Sequence, residues 1–189
     1  MGRPAVFLDR DGTLVREVDY LRSVRELRLL PGAARAVRRL NDAGFAVIVA
    51  TNQSGVARGL LTEEALAQIH GALAARLARR GAHLAGIYYC PHHPAAPLTQ
   101  YRRRCRCRKP APGMLLRAAR DLDLDLPRSF AIGDAERDLE AGRRAGCRVV
   151  LVRTGYGTAV CSRGEVRADH VADDLCAAVA WVLSQAGRR

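Results

Sequence analysis

Five short apolar runs constrain this chain most: residues 5–8, 45–50, 84–89, 129–132 and 148–152. Each is too brief for a core helix and nearly unbroken rather than alternating, which is how strands covered on both faces read. Helical patterns lie between them. Pro31-Gly32 opens one with Ala33, Ala36, Val37 and Leu40 on one face and Arg35, Arg38 and Arg39 on the other, ended by Gly44. Thr62 is placed to cap a helix running to about residue 80, Pro112 to be the first residue of a helix to about 122, and Gly146 to close a helix over 136–145. A terminal helix is expected over about 173–184. Strand alternating with helix predicts an α/β fold: a Rossmann-like parallel sheet with helices on both faces, as a single domain over residues 1–189. No stretch between the elements is long enough for a large cap domain.

In a parallel sheet, ligands bind beyond the carboxyl ends of the strands. Three of the runs end in polar clusters: Asp9-Arg10-Asp11-Gly12-Thr13, Thr51-Asn52-Gln53-Ser54-Gly55, and Gly133-Asp134. These should meet at one sheet edge. Two carboxylates spaced two apart repel unless a cation holds them, and hard oxygen donors suit Mg2+. With that charge screened, one carboxylate can attack a phosphoryl group and the other can exchange a proton with the alcohol and then with water. Thr51 and the backbone after it can bind phosphate oxygens.

Charge bears on the substrate. The 189 residues carry a formal net charge of +12, and the basic residues are all arginine except Lys109. So strong a bias suggests a G+C-rich coding sequence as the source of most of the positive charge, and it singles out the one lysine retained. Lys109 lies in Arg108-Lys109-Pro110, and lysine is a compact charge suited to a phosphoryl oxygen. No apolar run approaches a membrane span and no signal peptide precedes residue 9, so a cytoplasmic protein without a membrane partner is expected.

The cysteines divide into a cluster and a scatter. Cys90-Pro91-His92-His93 and Cys105-Arg106-Cys107 place three thiols and an imidazole in one short window, while Cys147, Cys161 and Cys176 stand apart. Cys-x-His with Cys-x-Cys is a closed tetrahedral Zn2+ set (Cys90, His92, Cys105, Cys107), structural because no ligand position remains for water. His93 is the alternative imidazole. A metal-free cluster and a nucleic-acid zinc module compete with this reading, the second because Arg102, Arg103, Arg104, Arg106 and Arg108 surround the cysteines; the loop has little aromatic content beyond Tyr101.

Taken in order, Asp9/Asp11, Thr51, Lys109 and Asp134 resemble the four motifs of the haloacid dehalogenase superfamily, over roughly residues 4–155. The resemblance implies Asp9 as nucleophile and Asp11 as general acid/base. Thr51 and Lys109 would stabilise the transferring phosphoryl group. Mg2+ would be held by Asp9, the main-chain carbonyl of Asp11, and Asp134, with Asp138 orienting Lys109 or its loop. The zinc loop before Arg-Lys-Pro is similar to that of the D-glycero-D-manno-heptose-1,7-bisphosphate 7-phosphatases and the related histidinol-phosphate phosphatases. That likeness implies substrate contacts at Glu17, Val18, Asp19 and Tyr20, at Thr51, Asn52, Gln53 and Ser54, and at Arg108 and Lys109. The expected partner is a small phosphorylated molecule, a sugar bisphosphate or histidinol phosphate, handled by a monomer. Ala135 stands where the heptose enzymes often have lysine. The alternative of another class is a basic, zinc-stapled nucleic-acid-binding protein on a retired enzyme frame, against which the complete catalytic set argues. No role is assigned to residues 158–173 or to Cys161.

Overall fold

The computed structural model describes residues 2–164 and 166–186. Six strands, β1 (Ala5–Leu8), β2 (Ala46–Asn52), β3 (Gly86–Cys90), β4 (Phe130–Gly133), β5 (Arg148–Val152) and β6 (His170–Ala172), form one sheet in the order β3-β2-β1-β4-β5-β6. Every pairing is parallel. Among the described residues, seven α-helices connect or flank the strands: α1 (Ala33–Asp42), α2 (Ser54–Ala57), α3 (Glu63–Ala78), α4 (Gly113–Leu122), α5 (Glu136–Ala145), α6 (Gly157–Ser162) and α7 (Leu175–Ala186).

The two-residue period of the strands divides the core. Val6, Leu8, Val47, Val49, Ile132, Val150 and Val152 pack with α1, α3 and α7 on one face. Phe7, Ile48, Ala50, Ala131, Val149 and Leu151 pack with α4 and α5 on the other. Both faces are thus covered, as continuous apolar strands require. The cover is aliphatic; the aromatic contribution is mainly Phe45, Phe130 and Trp181, stacked edge-on at one rim.

The expected boundaries shift where pairing dictates. β2 runs to Asn52, past residue 50, because β3 lies beside it and pairs Thr51 with Tyr89 and Asn52 with Cys90. Thr62 caps α3 as expected, its Oγ1 accepting from the Ala65 N–H at 3.2 Å. Pro112, expected inside α4, sits one residue before it, because the Gly113 N–H is turned back to the carbonyl of Arg106 (2.9 Å). The region left without a role contains α6 and β6, the latter closing the far edge against β5.

The order in which strands are added switches sides at β1, with β2 and β3 on one side and β4 to β6 on the other. The crevice beyond the carboxyl end of β1 is therefore where a ligand site is expected. Among the described residues, the segment between β1 and α1 has only isolated bridges (Asp11 to Val15, Val15 to Leu29), and no helix is long and apolar enough to cross a membrane.

Candidate active site

Asp9 follows the last residue of β1 and its N–H continues the ladder to Ile132 O at 3.0 Å, which places its carboxylate at the sheet edge. The chain then turns sharply. Leu14 and Val15 both donate to Arg10 O, with Gly12 at φ 76°. The turn brings Gly12 against Gly155, and the Asp134 carboxylate lies between them: a Cβ on either glycine would run into Asp134 Oδ2. That oxygen accepts from the Tyr156 N–H (2.8 Å), while Oδ1 is buried with no hydrogen-bond partner among the described residues.

Burial, reinforced by the charge of Asp9, pushes the Asp134 carboxyl up to about 7. Carboxylate oxygens of Asp9, Asp134 and Asp138 lie within 4.8 Å of one another. An orphaned buried oxygen among converging carboxylates is what a small hard cation resolves, so these residues fit Mg2+. Asp134 lies one residue before the N-cap position of α5. Ala135 occupies that position, and its N–H donates to Asp138 Oδ2 at 3.1 Å.

Lys109 is the buried counter-charge, 4% exposed. Its ammonium meets Asp138 Oδ1 at 2.7 Å, Asp9 Oδ1 at 3.0 Å and the Ala50 carbonyl at 2.7 Å. Burial by itself would lower its pKa; Asp138 and Asp9 outweigh that and hold it above the ordinary lysine value. Asn52 fixes the backbone around it, donating to Lys109 O (3.1 Å) and accepting from Lys109 N (3.0 Å). The side chain of Asn52 is thus a brace for the lysine as well as part of the cleft wall.

Above this floor lies a cleft of about 280 Å³. Asp9, Asp11, Glu17, Asp19, Tyr20, Thr51, Asn52, Gln53, Ser54 and Arg108 all line it. Val18 does not; it is an exposed side chain between two lining residues. Lys109 and Asp134 lie behind the lining surface rather than on it. Arg58, Arg137 and Tyr156 also line the cleft and carry no sequence signal of a site role; His93, the alternative zinc imidazole, lines it too. Arg137 supplies positive charge near the position where Ala135, a buried residue, cannot.

The cysteine cluster closes as expected. The Sγ atoms of Cys90, Cys105 and Cys107 lie 3.1–3.5 Å apart, and His92 Nδ1 is 3.6 Å from Cys90 Sγ and 3.4 Å from Cys107 Sγ. All are free cysteines, and the separations exceed the ~2.05 Å of a disulfide. Zinc at ~2.3 Å from sulfur needs edges a few tenths of an ångström longer, so the four donors fit a tetrahedral Zn2+ with slight expansion. Burial pushes the Cys90 thiol up, which a metal would reverse by taking the thiolate. His92, not His93, joins the thiols; the His93 ring faces the cleft, its Nδ1 accepting from the Ala95 N–H at 3.1 Å.

The chain is similar to known heptose bisphosphate phosphatases. A HAD-hydrolase-like family profile matches residues 106–178. The D-glycero-D-manno-heptose-1,7-bisphosphate 7-phosphatase of Thermosynechococcus vestitus is 43% identical over the full length of both chains. The D-glycero-beta-D-manno-heptose-1,7-bisphosphate 7-phosphatase of Photorhabdus laumondii is 47% identical over 82% of each. Among solved structures, the D,D-heptose 1,7-bisphosphate phosphatase of B. bronchiseptica, complexed with magnesium and phosphate, superposes with a TM-score of 0.86 at 38% identity, covering 96% of this chain and 99% of that one. The chain belongs to the haloacid dehalogenase-like hydrolases, in the family of the D-glycero-D-manno-heptose-1,7-bisphosphate 7-phosphatases.

Proposed function

We propose that this protein, with residues 1–189 acting as one catalytic unit, is a magnesium-dependent phosphomonoester hydrolase that removes the 7-phosphate of D-glycero-D-manno-heptose 1,7-bisphosphate. The observation that carries the chemistry is the buried Asp9–Lys109–Asp138 group beside the unpartnered oxygen of Asp134. The names of relatives more than 40% identical support the substrate. A cleft that sets Arg58, Arg108 and Arg137 around the nucleophile suits a molecule with two phosphates.

In this reading Asp9 attacks phosphorus. The bond from phosphorus to the sugar oxygen breaks, and Asp11 gives its proton to that oxygen, leaving an aspartyl phosphate and the free alcohol. Asp11, now ionised, takes a proton from a water whose oxygen attacks phosphorus, which releases phosphate and restores Asp9. Lys109 can follow this change: esterification removes the negative charge from Asp9, and a phosphoryl oxygen takes its place beside the ammonium. The Thr51 hydroxyl, which accepts from Gln53 Nε2 at 2.9 Å, keeps its own proton free for another phosphoryl oxygen. Asp9, Asp134 and the carbonyl of Asp11 would hold Mg2+, which when bound neutralises charge on the phosphoryl group. The zinc cluster takes no part in the reaction and holds Arg108 and His93 at the cleft.

The test is phosphate release with Mg2+ from both anomers of the heptose bisphosphate, from histidinol phosphate and from phosphorylated oligonucleotides, with Asp9→Asn in parallel. Release from a heptose bisphosphate that is at least ~10³-fold weaker in Asp9→Asn is expected. Preference for histidinol phosphate would move the substrate assignment and keep the mechanism; salt-sensitive oligonucleotide binding without release would overturn both.

A further inference from the structure

Arg10, between the two acids of the turn, is buried to 1% exposure. Its Nε donates to both oxygens of the Asp11 carboxylate (3.1 and 3.2 Å), and Nη2 donates to Asp11 Oδ2 (2.9 Å) and Gln53 Oε1 (2.8 Å). Gln53 then closes a ring by donating from Nε2 to Asp11 Oδ2 at 2.9 Å. Asp11 is thus gripped from two sides. The remaining arm of the guanidinium, Nη1, lies 3.2 Å from Nε2 of His70, sixty residues away on α3.

Guanidinium is a donor only, so His70 Nε2 must accept and the ring proton must reside on Nδ1. Burial, then the charge of Arg10, keeps the imidazole neutral, its pKa lowered to about 3. Tyr89 is the other titratable neighbour. Its ring packs on His70 with centroids 5.6 Å apart, and its hydroxyl turns away to Glu63 (2.6 Å). Asp9, Glu17 and Asp19 are the acids that share the cleft with Asp11. His70 is therefore the anchor that holds Arg10 from the helix side.

We propose that His70 is a positioning residue: by accepting from Arg10 Nη1 it fixes the plane of the guanidinium, and with it the aim of the Asp11 carboxylate at the leaving oxygen. A planar fork held at one end transmits orientation to the other, because its donors cannot rotate independently. This rests on Asp11 being the proton donor, as proposed above. A purely structural role would be to satisfy a buried arginine, and it predicts loss of stability without any change in the chemistry of proton transfer.

Leaving-group dependence separates the two. The ratio kcat/KM covers the steps up to departure of the alcohol; a polyol phosphate needs a proton there, and 4-nitrophenyl phosphate does not. With Mg2+ and Zn2+ bound, His70→Leu is expected to lose about 10- to 100-fold on the polyol phosphate, a part of what a general acid contributes, and less than about threefold on the nitrophenyl ester. His70→Gln, which keeps an acceptor near the position of Nε2, is expected to recover most of the loss. Equal losses on both esters, or no loss in folded His70→Leu, would overturn the proposal. Nitrogen-15 spectra of the imidazoles give a readout without turnover: a bare Nε2 on His70 supports the anchor, and a protonated Nε2 overturns it. Wild-type protein inert toward both esters would instead overturn the phosphatase reading, and the tautomer alone would then decide on the anchor.

Discussion

Asp134 bears a conflict that a single substitution exposes. Its carboxylate is buried between two glycines, takes one backbone donor and leaves one oxygen bare. The raised pKa means that the fold prefers this group protonated. That preference is fully felt below the unfolded value of 3.8 and is lost as pH rises through about 7. At pH 8 without metal the protein therefore holds an uncompensated buried charge, and Mg2+ relieves it. Asp134→Asn keeps an acceptor for the Tyr156 N–H and removes the charge. Metal-free Asp134→Asn at pH 8 is expected to melt above wild type by several degrees, to gain nothing further from Mg2+, and to release no phosphate; a lower melting temperature with an intact Mg2+ response would contradict this account. Asp9, Asp11, Thr51, Lys109 and Asp134 were legible in the sequence because all but Lys109 lie within three residues after an apolar run, and Lys109 is the one lysine in the chain. Arg58, Arg137 and the pairing of Arg10 with His70 were not. Nothing local marks them, and His70 reads as one more inward position on a helix.

At the level of elements, the zinc loop links metal binding to catalysis through chain geometry. Residues 91–112 contain only a single 3-10 turn (Thr99–Tyr101), so the segment has little hydrogen-bonded structure of its own. It is tied at Cys90 on the edge strand, at Tyr101, whose hydroxyl donates to Glu63 at 2.8 Å, and at Arg106, whose carbonyl holds the start of α4. Lys109 lies just beyond the last thiol. Removing zinc, or Cys107→Ser, should therefore open the loop and displace the lysine. A fall in melting temperature on the order of 10 °C is expected, corresponding to a few kcal/mol for a chain of this size. Trypsin should then cut first at Arg102, Arg103 or Arg104, and kcat should fall more than KM rises. Cleavage elsewhere first, or full activity in the zinc-free protein, would contradict the linkage. The cluster was readable because ligand spacing is a local property. α6 and β6 were not, since β6 is three residues long and a strand that short is defined by its partner β5 rather than by any pattern of its own.

The whole molecule carries a net charge of +12 and a sequence pI near 10.4, and its cleft brings arginines from three separate segments to a floor of carboxylates. Arg58 follows α2, Arg108 leaves the zinc loop and Arg137 lies in α5, so the positive rim exists only once the sheet has gathered its carboxyl ends. Charge spread over a surface attracts any anion and is screened beyond about 10 Å at 0.1 M salt, whereas charges converging in a cleft act at contact and are screened less. The two contributions separate by ionic strength. If the rim binds the second phosphate directly, raising salt from 50 to 300 mM should raise KM several-fold for the bisphosphate and for a monophosphate alike, through the shared long-range field. The bisphosphate should nonetheless keep its advantage over the monophosphate at high salt, with kcat for both within about twofold. An advantage that vanished with salt would mean that the arginines steer rather than bind, and that the preference for two phosphates arises from the net charge of the fold.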